Sequence, residues 1–118
     1  MGLSQVNIDK VKHLKDVDSA STYLFTQITK TPALEKALEY SIRAHKEQFR
    51  KSGEPYIVHP ILVASIVASM TSDESMAVSA LLHDIVEDTK TSIYEIISLF
   101  GDDVAHLVEG LTKIDAIR

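Results

Sequence analysis

Cysteine is absent from this 118-residue chain, which excludes disulfide frameworks, thiolate zinc sites and cysteine nucleophiles. No apolar run approaches the length of a membrane span, and the opening stretch MGLSQVNIDKVKH lacks the apolar centre of a signal peptide. Alternating apolar and polar runs long enough for strands are missing too, as are internal repeats and low-complexity tracts. Positive charge is in the minority: 12 basic side chains face 17 acidic ones, for a net charge of -5. That balance argues against broad, non-specific binding to nucleic acid. It leaves open one small anionic ligand, which a few local cations can hold. With no targeting segment legible, the expected location is the cytoplasm.

What is present fits an ordinary globular chain, 45% hydrophobic and 25% charged. One domain with a modest core, needing neither disulfide nor metal merely to fold, is the expectation. Apolar residues recur at spacings of three and four throughout, so the fold class is all-α, a compact helical bundle from about residue 18 onward. Val11, Leu14 and Val17 suggest a short helix in an N-terminal extension, residues 1–17, with Asp18 and Ser19 as caps of the next helix. Tyr23, Leu24 and Ile28 make a second stripe ending near Thr31-Pro32. A longer amphipathic helix is expected from Ala33 to Phe49. Arg50-Lys51-Ser52-Gly53-Glu54-Pro55-Tyr56 is the clearest loop, because glycine and proline together break a helix.

Pro60 suits a first helical position, and Leu62, Val63, Ile66, Val67 and Met70 form the next stripe. Asp73 can cap a helix, apolar on nearly all sides, that runs through Ala77 and Leu81 to about Asp88 at the centre of the core. Ser92 can cap another that carries Ile93, Ile96, Ile97 and Phe100, with Gly101 ending it. Val104, Leu107, Val108 and Leu111 mark the last.

The expected central helix ends in His83-Asp84-Ile85-Val86-Glu87-Asp88. Four ionisable groups within six residues, at the end of an apolar helix, are expensive to place. Neighbouring His83 and Asp84 can bind one divalent metal through nitrogen and carboxylate oxygen, and Glu87 and Asp88, one turn on, can manage the proton of an activated water. The same residues also suit a solvated helix end with no ligand at all. His59, expected just before a helix and held extended by Pro60, can reach a neighbouring element or serve as a cap. His45 reads as a core histidine; His13 and His106 read as surface residues. Arg43, Lys46, Arg50 and Lys51 form a basic cluster whose guanidinium groups match phosphate oxygens. By themselves they better suit a solvated helix face with a basic end, whose dipole favours cations.

Three blocks in this order resemble one family. Residues 44–64, A-H-K-E-Q-F-R-K-S-G-E-P-Y-I-V-H-P-I-L-V-A, are similar to the opening of the hydrolase domain in Rel/SpoT proteins, the bifunctional enzymes of the bacterial alarmone (p)ppGpp. Residues 80–89, A-L-L-H-D-I-V-E-D-T, look like that family's His-Asp box, and residues 100–113, F-G-D-D-V-A-H-L-V-E-G-L-T-K, like the next block of that domain. The resemblance covers roughly residues 20–118. It implies an HD-domain-like helical fold and removal of the 3′-pyrophosphate from ppGpp or pppGpp, giving GDP or GTP and pyrophosphate.

By the same resemblance, His59, His83 and Asp84 match three ligands of a manganese ion, and Glu87 and Asp88 match the acidic pair that acts on the attacking water. Arg50 and Lys51 match the basic pair lining the nucleotide pocket, with Ser52 in the same loop. The box keeps the His-Asp-x-x-Glu-Asp form of hydrolase-competent members. The family's fourth metal ligand, an aspartate in a Leu-Ala-Asp-Arg-Leu-His-Asn type segment, falls beyond residue 118. The expectation is therefore a partial HD hydrolase domain over residues 18–118, acting on a small-molecule alarmone, with no membrane and no direct nucleic-acid partner. Exposed core surface would let it self-associate. Two other readings are an HD phosphohydrolase of another nucleotide, against which the RKSGEPY loop speaks, and a catalytically silent folding or interaction module.

Overall fold

The computed structural model describes residues 15–117, with side chains as far as Lys113; Val11, Leu14 and His13 lie outside the described residues. Helix α1 spans Val17–Gln27, α2 Pro32–Ala44, α3 Val58–Thr71, α4 Glu74–Leu82, α5 Ile85–Asp88, α6 Ile93–Phe100 and α7 Asp102–Ile117. Among the described residues there is no strand, only an isolated antiparallel bridge between Phe49 and Pro55. The all-α expectation holds.

Local chemistry sets most of the helix starts. The Asp16 carboxylate accepts from the Ser19 backbone N–H at 2.7 Å and from its hydroxyl at 2.9 Å, so Asp16 caps α1, and Asp18 rides in the first turn. Thr31, Asp73 and Ser92 accept from the third residue onward in the same way and cap α2, α4 and α6. Gly101, at φ 94°, ends α6.

Helix α1 begins at Val17 under Asp16, so Asp18 and Ser19 lie inside it rather than cap it, and it ends at Gln27 rather than near Thr31. Three further boundaries also differ from the sequence reading. Helix α2 stops at Ala44 and not Phe49, because the chain turns at His45 to send Phe49 into its bridge, where the ring stays 65% exposed. Helix α3 begins at Val58, two residues before Pro60. Proline is still accommodated, since the N–H groups of a first turn have no helical partner. His59 accordingly sits inside the helix rather than extended before it.

The third difference matters most for the site. The expected single helix to Asp88 is interrupted at His83 and Asp84, although both keep right-handed helical angles. The carbonyls at the interruption find other donors: Ala80 O accepts from His83 Nδ1 at 2.8 Å, Leu81 O from the buried Ser41 hydroxyl at 2.9 Å, and His83 O from the Thr112 hydroxyl at 3.4 Å. Orphan groups at a helix end are thus met by side chains, two of them from α2 and α7.

Six consecutive residues of α4, Ala77 to Leu82, are buried, which makes it the central element. It packs against α2, α3 and α7, while α1 packs on α3 and α6 on α7. Leu24, Leu34, Ile61, Leu81, Leu82, Ile85, Ile96 and Val108 have no exposed surface. Each such side chain contributes on the order of 1.5–3 kcal/mol by leaving water. Among the described residues no helix is long and apolar enough to cross a membrane.

Candidate functional site

The interruption after α4 places two ionisable side chains where the core meets the surface. His83 is 8% and Asp84 6% exposed. A backbone carbonyl can only accept, so the 2.8 Å contact to Ala80 O fixes a proton on His83 Nδ1, and a hydrogen bond from Nε2 to Asp84 requires the second proton of the imidazolium form. Nε2 then points at Asp84 Oδ1, 3.0 Å away. The other carboxylate oxygen, Oδ2, accepts from the Tyr56 hydroxyl at 2.7 Å. Burial alone would raise the Asp84 pKa. The hydrogen bonds from His83 and Tyr56, with the charges of His83 and His59, outweigh it and hold the carboxyl below the ordinary aspartate value. Tyr56 moves upward, first through burial and then through its bond to Asp84.

An imidazole nitrogen and a carboxylate oxygen 3.0 Å apart, both backed by hydrogen bonds on their far sides, suit a shared cation. The donor pair therefore fits one edge of a divalent metal site. Among the described residues no three His, Cys, Asp or Glu side chains come together closely enough to enclose a metal. His59, half-buried in the first turn of α3, stands one ring away: its imidazole centroid is 6.2 Å from that of Tyr56.

Glu87 and Asp88 are exposed on α5, directly beyond the pair, and the Asp88 N–H donates to Asp84 O at 2.9 Å, which continues the helical turn across the interruption. Arg50, Lys51 and Ser52 are exposed at the tip of the 49–55 loop. The Gly53 N–H closes the tip on Arg50 O at 2.9 Å, with Gly53 at φ 102°, a conformation that favours glycine. The Arg50 N–H donates to Glu54 O at 2.9 Å. Ser52 donates its hydroxyl to Glu54 Oε1 at 2.5 Å, which lowers the Glu54 pKa and engages the serine within its own loop.

Two side chains that the sequence reading assigned no role bind this loop to the acidic turn. Gln48, at its base, donates from Nε2 to Asp88 O at 2.9 Å, while its Oε1 accepts from His45 Nδ1 at 2.8 Å. Its backbone carbonyl accepts from the Tyr56 N–H at 2.8 Å. Tyr56, at the other end, reaches Asp84. His45 is buried as expected, its ring centroid 4.9 Å from that of Tyr56, but its Nε2 has no hydrogen-bond partner among the described residues. His106 is exposed, also as expected.

The HD domain family matches residues 37–118. The chain belongs to that family. Among individual relatives it is 51% identical over 81 residues to a GTP pyrophosphokinase of Myxococcus xanthus, 69% of this chain and 11% of that one. It is 48% identical over 85 residues to a guanosine-3′,5′-bis(diphosphate) 3′-pyrophosphohydrolase of Aquifex aeolicus, 72% of this chain and 12% of that one. It is 49% identical over 75 residues to the bifunctional (p)ppGpp synthase/hydrolase SpoT of Escherichia coli, 64% of this chain and 11% of that one. These relatives bear out the resemblance to the Rel/SpoT proteins. The chain matches only 11–12% of their length.

Proposed function

We propose that the chain supplies the His-Asp part of a site that hydrolyses the 3′-pyrophosphate of (p)ppGpp. The observation that carries this reading is the convergence around Asp84. The His83–Asp84 donor pair, the Glu87–Asp88 turn and the Arg50–Lys51–Ser52 loop are tied to one another by Tyr56 and Gln48. The relatives named for acting on guanosine bis(diphosphate) support the substrate class.

His83 and Asp84 would hold a divalent metal, proposed as manganese, with His59 closing on it from α3. Such an ion, when bound, polarises a phosphoryl oxygen and makes a bound water more acidic. Arg50 and Lys51 bind the polyanion, the guanidinium having the shape to pair with phosphate or lie on a guanine ring. Glu87 and Asp88, exposed on α5, accept the proton of the water that attacks phosphorus. The new phosphorus–oxygen bond forms as the bond to the 3′-oxygen breaks, and that oxygen takes up a proton as it leaves. The products are pyrophosphate with GDP or GTP.

The test is ppGpp hydrolysis with manganese, comparing this chain with a version extended past Arg118 to the length of its relatives. Release of GDP and pyrophosphate by the extended protein, abolished by His83→Ala or Asp84→Ala, is the expected result. Full activity in either variant removes the metal assignment, and hydrolysis of other nucleotides in place of ppGpp removes the substrate.

A further inference from the structure

Tyr56 belongs to none of the groups that would touch metal, water or phosphate, yet its hydroxyl donates to the outer carboxylate oxygen of Asp84 at 2.7 Å. Its ring packs against two imidazoles, His45 at 4.9 Å and His59 at 6.2 Å between centroids. Its backbone N–H is bonded to Gln48 O at 2.8 Å. The hydroxyl is therefore aimed by both the ring packing and the backbone. A carboxylate on a short side chain can rotate about χ1 and χ2. With Oδ2 held by Tyr56, Oδ1 is left facing His83 Nε2 at 3.0 Å.

We infer that Tyr56 is a positioning residue that fixes the Asp84 carboxylate so that Oδ1 and His83 Nε2 present a ready-made edge to a divalent cation. The metal half of this inference rests on the function proposed above; the orientation half does not. Partners behind a ligating carboxylate typically change metal affinity by about 10- to 100-fold when removed. Phenylalanine keeps the ring packing against the two histidines and deletes only the hydroxyl.

The experiment compares the wild-type chain with Tyr56→Phe in two measurements. In metal-free protein, three-bond couplings about Asp84 χ1, read by NMR, are expected to report one rotamer in the wild type and an averaged value in the variant. Folding is followed in the same samples by far-UV circular dichroism. Mn²⁺ affinity, read from the free-ion signal in electron paramagnetic resonance on the same proteins extended past Arg118 to the length of their relatives, is expected to fall by about 10- to 100-fold in Tyr56→Phe and to vanish in Asp84→Asn. A single Asp84 rotamer in both proteins, or equal Mn²⁺ affinity in Tyr56→Phe and wild type while Asp84→Asn loses it, overturns the inference. Rotamer averaging in the variant with no Mn²⁺ binding by any protein overturns the metal assignment and leaves the orienting role standing. Should Tyr56→Phe lose its helical signal, Tyr56→Leu and His45→Leu serve as packing controls. A single Asp84 rotamer in a folded Tyr56→Leu, which also lacks the hydroxyl, would make Tyr56 a packing residue only.

Discussion

Gln48 and Asp88 are 40 positions apart in sequence, and the amide of one donates to the main-chain carbonyl of the other at 2.9 Å. The bond joins the base of the basic loop to the acidic turn. Neither residue advertises the contact, because it uses a neutral amide and a backbone oxygen.

Removing that amide should cost stability. Gln48→Ala leaves His45 Nδ1 and Asp88 O without their partners. The Asp88 carbonyl lies in an exposed bond where water can replace the amide, but His45 is buried, and a buried group stripped of its hydrogen bond costs roughly 1–3 kcal/mol. Urea unfolding with an unchanged m-value and a lower midpoint is the expected outcome; an unshifted midpoint would mean the strut carries no weight.

The loop tip should act on binding rather than on folding. Arg50 is exposed, so Arg50→Ala leaves the thermal midpoint near that of the parent. Loss of a charge-assisted contact of about 1.5–3 kcal/mol predicts a ten- to hundredfold rise in KM for ppGpp in the extended protein. Steady-state kinetics at fixed manganese checks it.

The core prediction concerns α4. Leu81 has no exposed surface and lies in the six-residue buried run beside the candidate donor pair. Leu81→Ala should destabilise the fold by about 2–5 kcal/mol, measured by chemical denaturation. A loss no greater than about 0.5 kcal/mol, the scale of an ordinary surface change, would contradict its placement.

Acid should weaken the start of α1. The hydrogen bonds from Ser19 hold the Asp16 carboxyl below the ordinary aspartate value of about 4. A depressed folded pKa means the cap's contribution is present above that ordinary value and is lost as pH falls through the lower folded one. Asp16→Asn should therefore flatten the acid limb of a stability–pH curve. An unchanged limb would show that the cap adds nothing.

Local chemistry made much of the fold legible. Asp73, Ser92 and Gly101 each mark a boundary by a group that satisfies an orphan N–H or relaxes the backbone, and all three do so in the structure. The end of α2 was not legible, since Phe49 continues the helical period while its backbone pairs with Pro55. The interruption at His83 was hidden for a related reason. Both residues stay helical in φ and ψ, and the bonds that replace the helix come from Ser41 and Thr112, 40 and 29 positions from the carbonyls they meet. Within the site, the His83–Asp84 pair could be read from adjacency. Tyr56 could not, because a tyrosine beside Gly-Glu-Pro gives no hint of which carboxylate it will meet.

Four residues are too few for a helix to persist alone, and α5 has only four. It survives as a graft, held by Asp84 before it, by Gln48 at its Asp88 carbonyl and by the buried Ile85 beneath it. Its last amide, that of Asp88, is bonded back to Asp84 O across the interruption at 2.9 Å. Hydrogen exchange in α5 should rise and fall with the basic loop rather than with α4, so that whatever quiets the loop also stills the acidic turn.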